Sequence, residues 1–500
     1  MEYDVIIIGG GITGAGTARD CALRGLRVLL LERGDIATGA TGRNHGLLHS
    51  GARYAMKDME SAHECIQENR ILRKIAPHCI EDTQGLFITL PEDAKTGFGL
   101  DYQALFIEAC RKAGIDAKAI SPEEARKLEP SVNPELIGAV LVPDGSVDPF
   151  KLCTANILDA RLHGAQVLSY HEVKEFIKVG DRVVGVRALN RLTGETREFR
   201  APVTVNAAGI WGAGIAELAG AHINMFPAKG TLLVFGHRVN RVVLNRCRKS
   251  ADGDILVPGD TVSIIGTTST RIPFEECDST QPTAEEVELM LREGCALSPQ
   301  LATTRIIRAY SGVRPLVADD SDPSGRSISR GIVCLDHEQR DGIRDFITIT
   351  GGKLMTYRLM AQMATDAVCS KLGISVSCTT ATTPLPDPVI PRHHKQGSSP
   401  LVCECESVSV KDVEDAIENL DVKNLMDLRR RTRVGMGTCQ GTSCIKKAAK
   451  ILADAKGLDA GQLEKDYVRE RWKGMVPVGW GDTIREMELM QKVYKEGIEL

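Results

Sequence analysis

Residues 3 to 33 leave this chain few choices of fold. Val5 to Ile8 is an unbroken β-branched run, the pattern of a strand buried on both faces of a parallel sheet. Gly9-x-Gly11-x-x-Gly14 follows at once. A predicted helix then runs from about Ala15 to Arg24, stops at Gly25 and gives way to a second apolar strand over Leu26 to Leu31, with Glu32 at its end. Strand, glycines, helix, strand and acid in this order specify a dinucleotide-binding βαβ unit. Gly9, Gly11 and Gly14 permit a tight turn, close approach of a pyrophosphate and packing of helix on strand. The helix N-terminus offers free N–H groups and partial positive charge to the phosphates. Glu32 can accept from both ribose hydroxyls and would repel a 2′-phosphate.

The next stretch, Thr38 to Tyr54, is too rich in Gly and Thr for a crossover helix. A nicotinamide enzyme would continue here with regular βαβ units. A flavin enzyme must let a longer cofactor extend past the sheet, which exposed backbone N–H groups suit. Two more strand–glycine–helix junctions lie at Thr204 to Gly212 and at Phe346 to Arg358. Before the first of these, residues 83–142 alternate short strands with a helix near Tyr102 to Ala113. Residues 224–268 read as antiparallel strands with turns at Ser250-Ala-Asp-Gly and Pro258-Gly-Asp, and Ala284 to Leu297 reads as a helix. The expected architecture is therefore α/β: a flavin part over about 1–82, 145–222 and 325–382, interrupted by an α+β substrate part over about 83–144 and 223–324. A Pro- and Ser-containing linker is expected at 383–400, where His393-His394 read as loop residues rather than ligands. A small unit follows over 401–455, then a C-terminal extension over 456–500.

Net charge is −4 with a pI near 6.3, so nothing in the charge balance calls for nucleic acid. A structural strand from residue 3 leaves no place for a signal peptide, and the uncharged run from Pro202 to Ala216 suits a βα turn better than a bilayer. The 15 cysteines do not form the pattern of a secreted disulfide scaffold in a chain this long. Eleven of them are scattered and read as small buried apolar side chains in a reducing cytoplasm. The other four form Cys403-x-Cys405 and, further on, Cys439-x4-Cys444. Four thiolates gathered by short helices could hold zinc or an iron–sulfur cluster; the single-residue spacing of the first pair counts against a zinc ribbon. Ser409 and Asn424 are expected to cap two of those helices. Arg429, Arg430, Arg431 and Arg433 lie between the ligand pairs, where they would offset an anionic cluster, face a partner or form a solvated helix face.

Gly351-Gly352-Lys353 puts a helix N-terminus and a cation at one place, an arrangement that stabilises negative charge on the N1–C2=O edge of a reduced flavin. Arg53, Lys229, Arg271, Arg314 and Arg330 each stand in or beside a Gly, Pro or Ser turn, and arginine grips phosphate through paired charge-assisted hydrogen bonds.

Three of these motifs together resemble the FAD-dependent glycerol-3-phosphate dehydrogenases: Arg53-Tyr54 behind the Arg43-Asn44-His45 loop, Tyr310-Ser-Gly-Val-Arg-Pro-Leu316 and Gly351-Gly-Lys-Leu-Met-Thr-Tyr-Arg358. With the cysteine-bearing unit, the resemblance covers nearly the whole chain and points to the anaerobic branch of that family, with a shorter linker. The loop Cys439-Gln-Gly-Thr-Ser-Cys444 is similar to the [2Fe-2S] domain of bacterioferritin-associated ferredoxin. The resemblance implies a D-amino-acid-oxidase type of FAD fold and oxidation of sn-glycerol 3-phosphate to dihydroxyacetone phosphate. It also implies two protein partners, one catalytic and one a membrane-anchoring iron–sulfur protein, with quinone as the eventual acceptor, at the cytoplasmic face of the cell membrane. Implied catalytic residues are Arg314, Lys353, His49 and Arg330, with Arg53, Tyr54 and Arg271 joining Arg314, Arg330 and Lys353 around the substrate. Implied FAD contacts are Gly9, Gly11, Gly14, Glu32, Arg33, Thr41, Gly42, Gly209, Trp211, Gly351 and Gly352, and implied cluster ligands are Cys403, Cys405, Cys439 and Cys444. Aerobic relatives carry a histidine just after the segment matching Ala228-Lys-Gly-Thr231, where this chain has Leu232. His49 is then left as a base or as a residue that only orients the cofactor. The rival readings are a flavin oxidase of another small hydroxy or amino acid, and a C-terminal iron-delivery or docking module.

Overall fold

The computed structural model describes residues 2–95, 99–317, 331–388, 399–480, 484–485 and 487–489. The strand Val5–Ile8 lies inside a six-stranded sheet. The order is Ile332–Asp336, Phe346–Gly351, Val203–Asn206, Val5–Ile8, Val28–Leu31 and Gln166–Leu168. All neighbours are parallel except the outermost pair, Ile332–Asp336 with Phe346–Gly351. Its members come from three stretches far apart in the chain, so the sheet is interrupted and completed late, as expected. Every residue of Val5–Ile8 and Val28–Leu31 is buried, because helices and a second sheet cover both faces.

The first helix spans Ile12–Leu23 and so begins before Ala15, where its sequence predicts it to start. Gly14 and Gly16 disfavour helix by roughly 1 kcal/mol each, yet both are inside it. Packing explains their presence: a Cβ on Gly14 would run into the Gly9 carbonyl oxygen, and one on Gly16 would lie 2.7 Å from the Tyr357 ring. That ring belongs to the helix Tyr357–Leu372, which packs beside Ile12–Leu23 together with Pro149–Leu162.

The intervening segments build a nine-stranded sheet. Met225–Phe235 pairs antiparallel with Ile306–Val317 along almost its full length, while Ser263–Gly266, Ile255–Pro258 and Val243–Arg246 continue the sheet on its other side. The helix Ala284–Leu297 appears at its expected bounds, with a Thr283/Glu286 capping box.

After residue 400 a hairpin, Leu401–Cys403 with Val408–Ser409, leads into the helices Val410–Asn419, Leu425–Thr432 and Ile445–Lys456. Ser409 caps the first, with Asp412 answering it, and Asn424 caps the second. The expected extension from 456 is a tail in name only over its first part. The helix Ala460–Met475 places Leu463 and Tyr467 in the same apolar core as Cys403 and Cys444. The Tyr467 hydroxyl meets the carbonyls of Gly435 at 3.1 Å and Gln440 at 3.0 Å. Leu385, at the start of the expected linker, is buried and donates its N–H to Ile75 O at 2.7 Å, so the chain is fastened there. His393 and His394 lie outside the described residues.

The arginines between the cysteine pairs are not a solvated face. Arg430 and Arg431 both reach Asp35, the third residue after Glu32, at 2.6 and 2.5 Å, and Arg431 and Asp35 are almost fully buried. Arg433 bonds Glu406 at 2.7 Å and Asp148 at 3.2 Å. Tyr170 donates to Asp427 at 2.8 Å, and Ser169 to Asp421 at 2.7 Å. Arg429 differs from its neighbours: its Nε is buried and meets no acceptor among the described residues. The cysteine unit is thus held against the flavin fold by charge-assisted bonds between residues nearly 400 positions apart.

Candidate active site and metal centre

A cavity of about 980 Å³ starts at the glycine turn and runs along the six-stranded sheet to Gly351–Met355. Gly9 and Gly11 line its start and Glu32 faces it. The Glu32 carboxylate already accepts from the Gly10 N–H at 2.6 Å and the Gly34 N–H at 2.8 Å. Burial pushes its pKa up, and those two donors work against that shift. Thr41 accepts from the Ile12 N–H at 3.0 Å and so shapes the helix N-terminus from the loop side. Arg33 stacks on Trp211, 4.3 Å from guanidinium to ring centre, and pairs with Asp278. Gly209 and Trp211 join this wall.

At the other end, Gly351 and Gly352 adopt φ of 77° and 63°, a left-handed pair open to glycine and strained for other residues. The reversal brings Lys353 into the cavity, with Nζ 4.8 Å from the centre of the Tyr54 ring. His49 stands edge-on to Tyr54 at 5.5 Å, and His45 to His49 at 6.5 Å. Arg314 enters from the strand Ile306–Val317. It donates to Thr268 O at 2.9 Å and also to the Thr267 hydroxyl. It passes over Gly230, where a Cβ would lie 3.1 Å from its Cζ. Arg53 lines the cavity while holding the buried carboxylate of Asp254 at 2.9 Å.

The structure therefore gathers Arg53, Tyr54, Arg314, Lys353 and His49 at one cavity. Arg271 does not belong to the lining: it is exposed and lies over Phe226, 4.7 Å from the ring centre. Lys229 is spent on Glu286 at 2.9 Å inside the sheet. Gly42 also stands back from the cavity, because a Cβ there would strike Ala37 O and lie 2.6 Å from the Phe150 ring; its smallness serves packing. Gly14 acts likewise, behind the turn. Arg330 lies outside the described residues. Leu232 is buried within the sheet. Sequence reasoning gave no role to His45 or Arg43, both of which line the cavity. Their position in the Gly- and Thr-rich loop was the available signal.

Cys403 and Cys444 are buried, with Cys405 and Cys439 more open beside them. Their sulfurs are close enough to interact: contact with Cys444 holds Cys403 down at about 6 and Cys439 at about 4. Backbone N–H groups of Gly435 and Glu406 also favour the Cys403 thiolate, as those of Ser443 and Gly441 favour the Cys439 thiolate. Cys444 is pushed up correspondingly. Close packing keeps this pocket shaped, since a Cβ on Gly437 would lie 2.5 Å from Cys405 Cβ. Among the described residues, no three His, Cys, Asp or Glu side chains are arranged as the ligands of one metal ion. Four converging thiols with N–H donors at the sulfurs suit a thiolate-bound cluster, whose charge those donors would moderate.

The model for "FAD dependent oxidoreductase" matches residues 4–358, and that for "BFD-like [2Fe-2S] binding domain" matches residues 401–454. Among solved structures, the fold is shared with a glycerol-3-phosphate dehydrogenase from Bacillus halodurans, described as complexed with FAD. That match has a TM-score of 0.59 at 22% identity and covers 100% of this chain and 92% of that one. A glycine oxidase from Geobacillus kaustophilus matches with a TM-score of 0.58 at 20% identity, over 77% of this chain and 98% of its own. In sequence, the chain is 59% identical to a subunit of the anaerobic glycerol-3-phosphate dehydrogenase of Escherichia coli (strain K12), over 99% of this chain and 96% of that protein. It is 40% identical to the corresponding protein of Haloferax volcanii, named for the same enzyme, over 98% of this chain and 89% of that protein. The chain belongs to this family of anaerobic glycerol-3-phosphate dehydrogenase subunits, FAD-dependent oxidoreductases that carry a BFD-like [2Fe-2S] domain.

Proposed function

We propose that the chain oxidises sn-glycerol 3-phosphate to dihydroxyacetone phosphate and passes the electrons, by way of its cysteine unit and partner proteins, to quinone. The observation that carries the first step is the convergence of Arg53, Arg314 and Lys353 on the cavity that begins at the dinucleotide turn. A small phosphate dianion needs such a set of cations, and an amino acid does not. When bound, FAD supplies a two-electron acceptor and the [2Fe-2S] cluster a one-electron carrier. Gly9, Gly11, Glu32, Thr41, Arg33 and Trp211 would hold the dinucleotide, and Cys403, Cys405, Cys439 and Cys444 the cluster.

The residues of the chain have three tasks. Arg314, steadied by the hydroxyl of Thr267 and the carbonyl of Thr268, presents its guanidinium to the substrate phosphate, and Arg53 stands beside the same space. Lys353, at the head of the turn before Tyr357–Leu372, concentrates positive charge where a reduced flavin would be anionic. Oxidation at C2 removes a hydride and the hydroxyl proton. The proton acceptor comes from His49, which faces Tyr54 within the cavity, or from His45 beside it. Arg271 and Lys229 are left out of this scheme, and Arg330 enters it only through family resemblance.

Among the described residues no helix is long and apolar enough to cross a membrane. The relatives are named as subunits, which supports a multi-subunit enzyme; the two partners, one catalytic and one an anchoring iron–sulfur protein, and attachment to the inner face of the cell membrane follow from the family resemblance. The test is direct: protein purified without oxygen should release FAD on denaturation, and its flavin absorbance should bleach with glycerol 3-phosphate but not with glycerol. Equal bleaching by glycerol, or by glycine in place of either, would remove the phosphate site from this reading.

A further inference from the structure

The turn Glu32–Ala37 has two faces. Toward the cavity, Glu32 takes the N–H groups of Gly10 and Gly34, and the Ala37 N–H donates to Gly10 O at 3.0 Å. Away from it, Asp35 is buried and accepts from Arg430 Nε at 2.6 Å and from Arg431 Nη2 and Nη1 at 2.5 and 3.1 Å. Both arginines lie on the helix Leu425–Thr432. The arginine fork is rigid and matched to a carboxylate, so two of them on one aspartate fix direction as well as distance. Arg431 is itself oriented by the Leu420 carbonyl at 3.0 Å, and Arg430 by Asp427 at 3.3 Å. Tyr170 clamps that same Asp427, and Asn424 donates to the Tyr170 hydroxyl at 2.8 Å. The helix runs straight into Arg433, Val434 and Gly435, and the Gly435 N–H points at the sulfur of Cys403. Arg433 in turn holds Glu406, the residue after Cys405, at 2.7 Å. One short path of rigid contacts therefore connects the dinucleotide turn with the loops that carry the four cysteines.

The geometry points to Asp35 as the positioning residue for electron transfer within the chain: by clasping Arg430 and Arg431 it fixes the cysteine unit on the flavin unit. This rests on the proposed relay from flavin to cluster. Asp35 touches neither substrate nor the reacting atoms, and it does not line the cavity. A loosened clasp should leave substrate oxidation intact and slow only the passage of electrons onward.

The experiment uses the full chain with both cofactors and compares Asp35→Asn, Asp35→Glu and Arg430→Gln with wild type. FAD, iron and sulfide are assayed first. Rapid mixing with glycerol 3-phosphate without oxygen then gives the rate of flavin bleaching, and freeze-quenched EPR gives the rate of cluster reduction. Asp35→Asn should keep its FAD, iron and flavin-bleaching rate, while cluster reduction slows by roughly 10- to 100-fold, the scale of a small misplacement. Hydrogen exchange of residues 425–433 should rise in the same variant. Asp35→Glu should recover part of the cluster rate, because it restores the charge. If Asp35→Asn loses its cofactors, Arg430→Gln decides the matter, since Arg431 still holds Asp35. Cluster reduction at the wild-type rate in the decisive variant would overturn the positioning role alone. A wild-type cluster that stays oxidised while its flavin bleaches would overturn the relay, and the positioning role with it.

Discussion

At the scale of single residues, Arg314 bears the most weight. Its guanidinium is oriented by Thr267, Thr268 and Ser269 before any substrate arrives, so little ordering is needed when a phosphate binds. Arg314→Ala should lower kcat/KM for glycerol 3-phosphate by roughly 2–5 kcal/mol, as for an ion pair that loses one member. Arg314→Lys should recover little of it, because a point charge cannot reproduce the fork. Steady-state kinetics checks both, and an unchanged kcat/KM in the alanine variant would move the phosphate site elsewhere. Lys353 and the Arg53-Tyr54 pair stand out in the sequence because each follows a glycine turn, whereas Arg314, flanked by Gly312 and Pro315, reads as a turn residue but stands inside the strand Ile306–Val317. Arg271 shares that local signature and, opposite Ala228 as Arg314 is, also shares Arg314's side of the sheet, yet on the short strand Thr270–Arg271 it lies over Phe226 and outside the lining. Lys229, one residue on from Ala228, faces away, since the register of Met225–Phe235 against Ile306–Val317 decides which side of the sheet each side chain takes. A one-residue change of register reverses that choice, and a single sequence does not reveal register across pairings of this length.

Among elements, the turn Gly351–Gly352 sets Lys353. It follows the buried strand Phe346–Gly351 and precedes Tyr357–Leu372. Gly352→Ala would place a Cβ against Met360 Sδ with φ at 63°, and a non-glycine residue in that conformation costs about 1–3 kcal/mol. The variant should show a lower melting temperature and a lower flavin content; calorimetry and absorbance per mole of protein measure these. A variant that matched wild type in both would show that the turn tolerates a side chain. The first βαβ unit was readable almost residue by residue, because its period and its glycines are local. The start of Ile12–Leu23 was misjudged by three residues, since helix propensity argues against Gly14 while packing on Gly9 demands it. The caps Ser409 and Asn424 were readable for the opposite reason: each acts within three residues of itself.

For the whole molecule, the relation between the two units could not be read from the chain. A linker at 383–400 suggests loose tethering. The structure instead shows Asp35, Asp148, Tyr170 and Ser169 of the flavin unit bonded to the cysteine unit, and Arg471 of the last long helix donating to Ile307 O at 2.7 Å. Sequence separations of up to 396 residues hide such pairs. The four arginines between the cysteine pairs read equally as a counter-charge to a cluster, a partner-facing patch or a solvated face, because Asp35, the partner of Arg430 and Arg431, is so distant in the chain. Removing a ligand should nonetheless separate the two chemistries. Cys439→Ser should lose iron and sulfide and still bleach its flavin with glycerol 3-phosphate in a single turnover without oxygen, while electron delivery to quinone collapses. Loss of flavin bleaching in that variant would mean that the docked unit is needed to shape the active site.

One chain that oxidises glycerol 3-phosphate at its flavin should hand the electrons to its own four-cysteine centre. The most direct measurement mixes the oxidised protein with limiting glycerol 3-phosphate without oxygen and follows flavin absorbance and cluster EPR in the same samples. The flavin should bleach first, the cluster signal should then grow as the flavin partly reoxidises, and dihydroxyacetone phosphate should appear in proportion to the electrons stored. Cluster reduction that precedes the flavin, or a flavin that stays oxidised while glycerol 3-phosphate is unconsumed, would contradict this relay.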